Sequence, residues 1–320
     1  MKLCEHPEFE QAILNAVEHF ASRKFRPAVI EKDYYVTEAL RAINLAAGPR
    51  VIFKGGTSLS KGWNLIDRFS EDIDLFLDPT AYEPELSKRG IDRELKKLRD
   101  YVAALPALGF DPGSSQTIGG FGRNDSFTYQ AKFGGPGEVA PRVLLEAGTA
   151  SGREPVADVE LSSLLADFLR EQGFSLGAED EQPFTMRLLH FRRTFVEKLF
   201  AIHSKVTGSL SSGEPLGSYA RHYYDLAQLS QRPEVLAMLQ SDEYGAIKLD
   251  YDAVSRRFFG RDYAPPGDLS FASSLALFPG DRLSASLGEQ YTRQCELLCF
   301  GAFPSWSEVL QRFSKLQPLL

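Results

Sequence analysis

Two aspartates, Asp72 and Asp74, have the residue type and spacing that most directly suggest chemistry. They stand in a stretch where charged and apolar residues alternate, which predicts a half-buried strand. Because residues two apart on a strand point to the same face, both carboxylates would project together while Ile73 and Leu75 enter the core. Two carboxylates about 6–7 Å apart suit one or two hard divalent cations, with Mg²⁺ the leading candidate and Mn²⁺ the alternative. Such ions serve phosphoryl and nucleotidyl transfer, because they neutralise a triphosphate and position the attacking oxygen.

A glycine pair precedes the aspartates, at the end of a short β-branched run. Gly55 and Gly56 lack side chains, so their backbone amides can approach a phosphate closely. Thr57 and Ser58 either donate hydroxyl hydrogen bonds to that phosphate or cap the helix that follows. Each piece alone has a common structural explanation, a solvated strand edge or an ordinary turn. Their conjunction is much more specific, and it predicts a site for a nucleotide.

The elements around these residues divide the chain into two parts. Strands are predicted at 51–53, 71–77, 126–133 and 142–147, and helices at 8–22, 28–46 and 83–105. The Gly- and Ser-rich stretch 113–125 is predicted as a loop or hairpin tip. Beyond Pro155 the pattern is helical, with helices predicted at 158–172, 184–207, 216–230, 245–260 and 283–300. This order predicts an α/β (α+β) fold class, with one domain at 1–160 and a helical domain at 161–320.

The segment 53–77 resembles the first motif of the polymerase-β-like nucleotidyltransferase superfamily, a glycine turn followed by Asp-x-Asp between apolar residues. Within that superfamily it is similar to the AbiEii/AbiGii toxin family, which includes the MenT-type toxins. Members commonly carry three further motifs, for which this chain has Glu31-Lys32-Asp33-Tyr34, Glu197-Lys198-Leu199 and Arg221-His222-Tyr223-Tyr224-Asp225-Leu226. Two departures stand out. His222 occupies a position where an acid is frequent, and 14 residues separate Thr57 from Asp72, a longer spacer than usual.

The resemblance implies a polymerase-β-like nucleotidyltransferase domain with a mixed sheet, followed by a helical C-terminal domain that contributes Lys198 and Asp225 to the cleft. Asp72 and Asp74 would hold the metal. Glu146, an acid ending an apolar strand, would be the third carboxylate or would simply be exposed at the strand end. The nucleotide-binding residues would be Gly55, Gly56, Thr57, Ser58, Arg68, Ser70 and Lys198.

Several of these residues keep a second interpretation. Lys198 lies in an apolar helix stripe, where it either snorkels to water or meets an anion, and the resemblance implies an anion. Asp225 either forms a surface ion pair with Arg221 or takes a site role, as a base or by orienting Lys198. Arg68 either pairs with triphosphate oxygens or stabilises its turn. Ser70 would share the face of the two aspartates if the strand begins early.

Two charged stretches are open to similar alternatives. Residues 31–33 fit a solvated helix face as well as a site. The segment 187–205 holds five basic residues and one acid, which suits either an RNA-binding strip or an ordinary amphipathic helix with a cationic rim. The basic residues are Arg187, Arg192, Arg193, Lys198 and Lys205.

The composition limits the class of protein and the cellular compartment that we expect. The 320 residues carry 43 acidic and 36 basic side chains, a net charge of −7, which argues against a globally basic nucleic-acid coat. Three cysteines cannot form an even disulfide framework, and no stretch approaches the ~20 apolar residues of a membrane span. We therefore expect a cytoplasmic protein.

The predicted activity is transfer of a nucleotide from a nucleoside triphosphate (NTP), with release of pyrophosphate. By resemblance, the acceptor is the 3′ end of tRNA, the role is that of a toxin that blocks translation, and an antitoxin is encoded nearby. One alternative uses the same site on a small molecule. The other is a GTP- or NTP-binding protein that transfers nothing. The sequence selects neither the NTP nor the tRNA, and it does not define the oligomeric state or the role of residues 231–320.

Overall fold

A computed structural model of the protein describes residues 1–70, 72–135, 139–260 and 263–320. Glu71, the first residue of the predicted carboxylate strand, therefore lies outside the described residues. The described strands are β1 (Val51–Lys54), β2 (Asp72–Leu77), β3 (Gly109–Ile118), β4 (Gly122–Thr128), β5 (Arg142–Gly148), β6 (Val156–Leu161) and β7 (Phe184–Leu189).

These strands form one mixed sheet in the order β3-β4-β5-β2-β1-β7-β6. The central strand β2 runs parallel to β5 and antiparallel to β1. Its apolar residues Ile73 and Leu75 are buried, as their alternation with the aspartates predicts. The sheet therefore presents the aspartates on one face of a strand that has neighbours on both sides.

The helices are given by their bounds: α1 (Phe9–His19), α2 (Pro27–Ala47), α3 (Gly55–Thr57), α4 (Lys88–Ala103), α5 (Leu164–Glu171), α6 (Phe191–Ser212), α7 (Arg221–Leu229), α8 (Pro233–Leu239), α9 (Asp242–Phe259), α10 (Asp281–Leu298) and α11 (Trp306–Leu316). The single turn α3 continues as a wider π-helical turn through residues 58–62. None of the described helices combines the length and apolar character needed to cross a membrane.

The chain forms two compact units. The first comprises Met1–Trp63, Phe69–Thr149 and Val156–Leu188 and contains the sheet, on which α2 and α4 pack. The second comprises Asn64–Arg68, Ala150–Pro155 and Leu189–Leu320; in it α6 packs against α7, α8 and α9. The predicted α/β (α+β) class with a mixed sheet is confirmed. The domain division at residue 160 stays a prediction.

Three sequence predictions of local structure were wrong. The helix predicted at 158–172 begins only at Leu164, because Val156–Leu161 form β6. Residues 184–189 form β7, and the helix predicted from 184 begins only at Phe191, after His190 caps it by accepting from the amide of Arg192. A six-residue apolar run fits a strand as well as a helix, and here pairing with β1 decides. Residues 113–118 and 122–125, predicted as loop, belong to the hairpin β3–β4, whose turn contains Gly119 and Gly120 at positive φ.

Candidate active site

The carboxylate strand β2 places Asp74 between two polar residues of its neighbours. Asp74 is directly opposite Glu146 of β5 and Lys54 of β1. Residues directly opposite each other share a face of the sheet, so these three side chains and Asp72 project to the same side. Both aspartates and Glu146 are partly exposed. Lys54 is a functional candidate that sequence reasoning missed, although it stands immediately before the glycine pair.

The glycine turn fits closely around one of these aspartates. Gly55 has a φ of +77°, which disfavours other residues, and a Cβ atom there would collide with the Asp74 carboxylate. The Thr57 hydroxyl donates to the backbone oxygen of Asp72 at 2.5 Å, and the Ser58 hydroxyl donates to that of Gly55 at 2.9 Å. The hydroxyls therefore tie the turn to itself and to β2. Their predicted phosphate contacts stay a prediction.

The donor set of this face suits a hard cation. Asp72 and Asp74 offer carboxylate oxygens on one strand face, and the absence of a side chain at Gly55 leaves the space that the Asp74 carboxylate fills. Glu146 accepts a hydrogen bond from the Asn124 amide at 3.3 Å. In the part of the chain that the structure describes, no three acidic, histidine or cysteine side chains gather as a metal site. The pair thus fits a metal, and Glu146 as a third ligand stays a prediction.

Three consecutive residues of α2, which we call the α2 anchor (Glu31, Lys32 and Asp33), hold loops of the first unit. The Glu31 carboxylate accepts from the backbone amides of Lys132 and Phe133 at 2.8 and 3.0 Å. Lys32 donates to the carbonyl of Ala140 at 3.3 Å, with its ammonium 5.3 Å from the Phe69 ring centroid.

Asp33 completes this group. One of its oxygens lies 2.7 Å from the Lys61 ammonium, and the other accepts from the amide of Leu164, the first residue of α5. Lys61 follows the glycine turn, so Asp33 fixes the segment that leaves that turn. Glu31 and Lys32 are 0% and 1% exposed, which excludes a solvated helix face for them.

The second unit contains a group that we call the Asp225 cluster (Arg68, Lys198, His222 and Asp225). Arg68 binds both oxygens of Asp225 through Nε and Nη2, at 2.6 and 2.8 Å. Lys198 Nζ lies 2.8 Å from Asp225 Oδ2 and 3.2 Å from His222 Nδ1. Asp225 is fully buried, so a surface ion pair with Arg221 is excluded, and Lys198 meets an anion instead of snorkelling.

Burial and mutual charge set the protonation of this cluster. Burial would raise the pKa of Asp225, but the positive charges of Arg68 and Lys198 outweigh it and hold that pKa well below its usual range. Burial lowers the pKa of Lys198, and the attraction of Asp225 opposes this. Burial, together with the Lys198 charge, lowers the pKa of His222 to about 3, so its imidazole is neutral near pH 7.

The basic segment 187–205 does not form a free cationic strip. Arg193 and Lys198 are buried, and Arg193 binds Glu197 and Asp250. Arg192 lies 3.2 Å from Glu243. Helix α6 thus pairs these residues with acidic side chains of the second unit, as an amphipathic helix with a cationic rim would, and the RNA-binding strip stays a prediction.

Ser70 and Arg68 precede the carboxylate strand as the structure describes it. Ser70 is partly exposed and lies before β2, whose described part begins at Asp72. Arg68 is buried, and its guanidinium forms an ion pair with Asp225. Of the two interpretations of Arg68, these contacts agree with a structural role, and its triphosphate contact stays a prediction.

Comparison with known proteins assigns the family. The family model "Nucleotidyl transferase AbiEii toxin, Type IV TA system" matches residues 38–311. The chain therefore belongs to the AbiEii family of nucleotidyltransferase toxins of type IV toxin–antitoxin systems, as the sequence motifs predict. This family generally uses an NTP and a divalent metal, and its type of system implies an antitoxin partner.

Among solved structures, the chain is similar to MenT4, a nucleotidyltransferase toxin from Mycobacterium tuberculosis H37Rv. The TM-score is 0.47 and the sequence identity 16%, covering 96% of this chain and 98% of that chain. No curated protein matches the chain at a significant level.

Proposed function

We propose that this protein transfers a nucleoside monophosphate from an NTP to the 3′ end of tRNA in a metal-dependent reaction, and that it thereby blocks translation. Membership of a nucleotidyltransferase toxin family supports the transfer and the toxic role. The single observation that carries the proposal is the fit between the glycine turn and β2. Gly55 leaves room for the Asp74 carboxylate, and Asp72 lies on the same strand face. An antitoxin encoded nearby would restrain the activity.

The reaction joins two substrates at phosphorus. A bond forms between a 3′-hydroxyl oxygen of the acceptor and the α-phosphorus of the NTP, and the bond from that phosphorus to the bridging oxygen breaks. The hydroxyl proton passes to solvent water, and pyrophosphate leaves. Asp72 and Asp74 would hold the divalent ion, which, when bound, neutralises triphosphate charge and orients the reacting oxygens. The backbone amides of Gly55 and Gly56 would bind phosphate oxygens. Lys198 would neutralise the negative charge of the leaving group.

Asp225 would act by orientation and not as the base. Its two oxygens already bind Arg68 and Lys198, and those two cations lower its pKa. A carboxylate with so low a proton affinity is a poor acceptor for a hydroxyl proton. Arg68 would fix Asp225, and Asp225 would in turn fix Lys198.

The test measures acceptor labelling. The purified protein is incubated with Mg²⁺, total cellular RNA and each α-³²P-labelled NTP in turn, beside the variant Asp74→Asn. We expect a labelled tRNA-sized band that falls at least about 10²-fold in the variant, as loss of a charge-stabilising group does. Asp78→Asn is the matched control, because Asp78 directly follows the same strand and its carboxylate accepts from the backbone amide of Thr80.

Two further variants, at Gly55 and Gly177, make this test more specific. Gly55→Ala introduces positive-φ strain and a collision of the new Cβ atom with Asp74. Gly177→Ala introduces similar strain, at φ +73°, but its Cβ atom would meet no neighbouring atom within 4 Å. We expect loss of labelling in the first variant alone. Label on a small alcohol would favour the small-molecule alternative. Tight NTP binding without pyrophosphate release in the presence of RNA would contradict the proposal and favour a nucleotide-binding protein.

A further inference from the structure

The ammonium group of Lys198 has an incomplete set of protein acceptors. An ammonium carries three hydrogens and no lone pair, so it can only donate. Among the described residues, its hydrogen-bond and ion-pair partners are Asp225 Oδ2 at 2.8 Å and His222 Nδ1 at 3.2 Å. Two of the three ammonium hydrogens therefore have an acceptor among the described residues, and the third can be donated to a ligand.

The contact with Lys198 also fixes the state of His222. Because the ammonium donates, Nδ1 must accept, so the imidazole carries its proton on Nε2 and is neutral. The Tyr219 ring packs edge-on against the imidazole, with ring centroids 5.4 Å apart. His222 Nδ1 lies 3.9 Å from Asp225 Oδ2, so Lys198 is the nearer partner.

Lys198 does not have Asp225 to itself. The single negative charge of Asp225 is shared between Lys198 and Arg68, which binds both carboxylate oxygens, and His222 is neutral. Arg221, on the same helix as His222, adds repulsion that lowers the pKa of Lys198 further. A buried ammonium that shares its counter-charge is stabilised when a further negative charge binds it. An aspartate at position 222 would supply that opposite charge from within the protein.

We propose that His222 is a positioning residue for Lys198. Its neutral imidazole takes one ammonium hydrogen without cancelling the positive charge, so that a hydrogen and a charge are left for a phosphate oxygen of the NTP. This inference rests on the proposed function for the identity of the anion. It predicts that a neutral acceptor and a charged acceptor at position 222 affect Lys198 differently.

The test compares three substitutions in the full-length protein. His222→Asn keeps a neutral acceptor, His222→Leu removes the acceptor, and His222→Asp replaces it with a charged one. The titration of Lys198 is followed by NMR of lysine labelled with ¹³C at Cε, its signal assigned by its loss in Lys198→Met. Nucleotidyl transfer is measured over the same pH range. His203→Asn is the control, because His203 is a half-buried histidine whose Nδ1 binds Ser274 outside the cluster.

We expect His222→Asp to raise the pKa of Lys198, because it adds a negative charge beside the ammonium. The loss of transfer activity at high pH should then move to higher pH, while KM for the NTP rises because the new carboxylate pairs with Lys198. His222→Asn should retain the wild-type titration and most of the activity. His222→Leu should lower kcat about 10-fold, the effect of losing a hydrogen bond to a charged group.

The outcomes separate the two proposals. An unchanged Lys198 titration in His222→Asp would overturn the role of His222, whatever the activity. Equal activity in His222→Asn and His222→Leu, both folded, would overturn it as well. A shifted titration in a protein that transfers no nucleotide would leave the positioning of Lys198 in place and refute the proposed function instead.

Discussion

The two compact units each bury a group of charged side chains, but they hold them with different partners. In the α2 anchor, the carboxylates of Glu31 and Asp33 accept mainly backbone amides, and Lys32 donates to a carbonyl. In the Asp225 cluster, every contact described above joins one side chain to another. The first pattern fixes the path of the chain, whereas the second fixes the positions of charges.

The charges of the two groups differ as well. Asp33 has a lysine of its own, Lys61, whose ammonium lies 2.7 Å from it. In the Asp225 cluster, two cations, Arg68 and Lys198, share one carboxylate. The first arrangement holds loops in place. The second leaves Lys198 able to bind a further anion, as the proposed function requires.

The largest expected effect comes from removing the single negative charge of the cluster. Asp225→Asn would remove the buried carboxylate charge that Arg68 and Lys198 both bind, which costs about 3–5 kcal/mol of unfolding free energy. Urea unfolding followed by circular dichroism measures it. Asp92→Asn is the control, since it breaks an exposed pair with Lys96 on α4 and should change stability little. A loss below about 1 kcal/mol in Asp225→Asn would refute the cluster as a buried charge group.

A smaller loss is expected in the anchor. Glu31→Ala removes the acceptor of two backbone amides, at a cost of about 2–3 kcal/mol. Because those amides belong to Lys132 and Phe133, hydrogen exchange at both should accelerate in the variant. Glu10→Ala is a matched control, since Glu10 binds the same Lys132, but through an exposed ion pair between side chains. If Glu10→Ala exposed these amides equally, the backbone contacts of Glu31 would not be the anchor.

The sequence predicted the face of the aspartates because that face follows from the two-residue period of a strand alone. It did not predict the contact of Arg68 with Asp225, which are 157 residues apart. Neither residue carries a local signal of that pairing, since only the folded chain brings them together. The burial of Glu31 and Lys32 was missed for a related reason. Residue type indicates a polar helix face, but not which loops will cover it.

Local structure was predicted well where a periodic pattern is long and poorly where it is short. Helix α2 was predicted to within a residue or so at each end, at 28–46 against Pro27–Ala47. Strand β7 was missed because its six residues read equally well as the start of the long helix after it. Strand β3 was missed because its Gly- and Ser-rich sequence is typical of loops. It lies at the edge of the sheet, where pairing with β4 alone defines it.

The smallest expected effect is on the pH dependence of stability. As the pH falls, Glu31 and Asp225 should change the unfolding free energy in opposite directions. Burial raises the pKa of Glu31 above its ordinary 4.5, although the amides of Lys132 and Phe133 oppose this shift. The native state then binds the proton more tightly than the unfolded state, so acidification from pH 7 toward 4.5 should stabilise the wild type relative to Glu31→Gln, which does not titrate.

Asp225 should respond in the opposite direction and at lower pH. Its pKa is lowered below the ordinary 3.8, so the unfolded state binds the proton more tightly. The stability that Asp225 contributes is therefore complete above about pH 4 and is lost as the pH falls further. Unfolding free energies of the wild type, Glu31→Gln and Asp225→Asn, measured from pH 7 to 3, check both signs. If the wild type lost stability relative to both variants over the same pH range, the two carboxylates would not differ in the way their partners require.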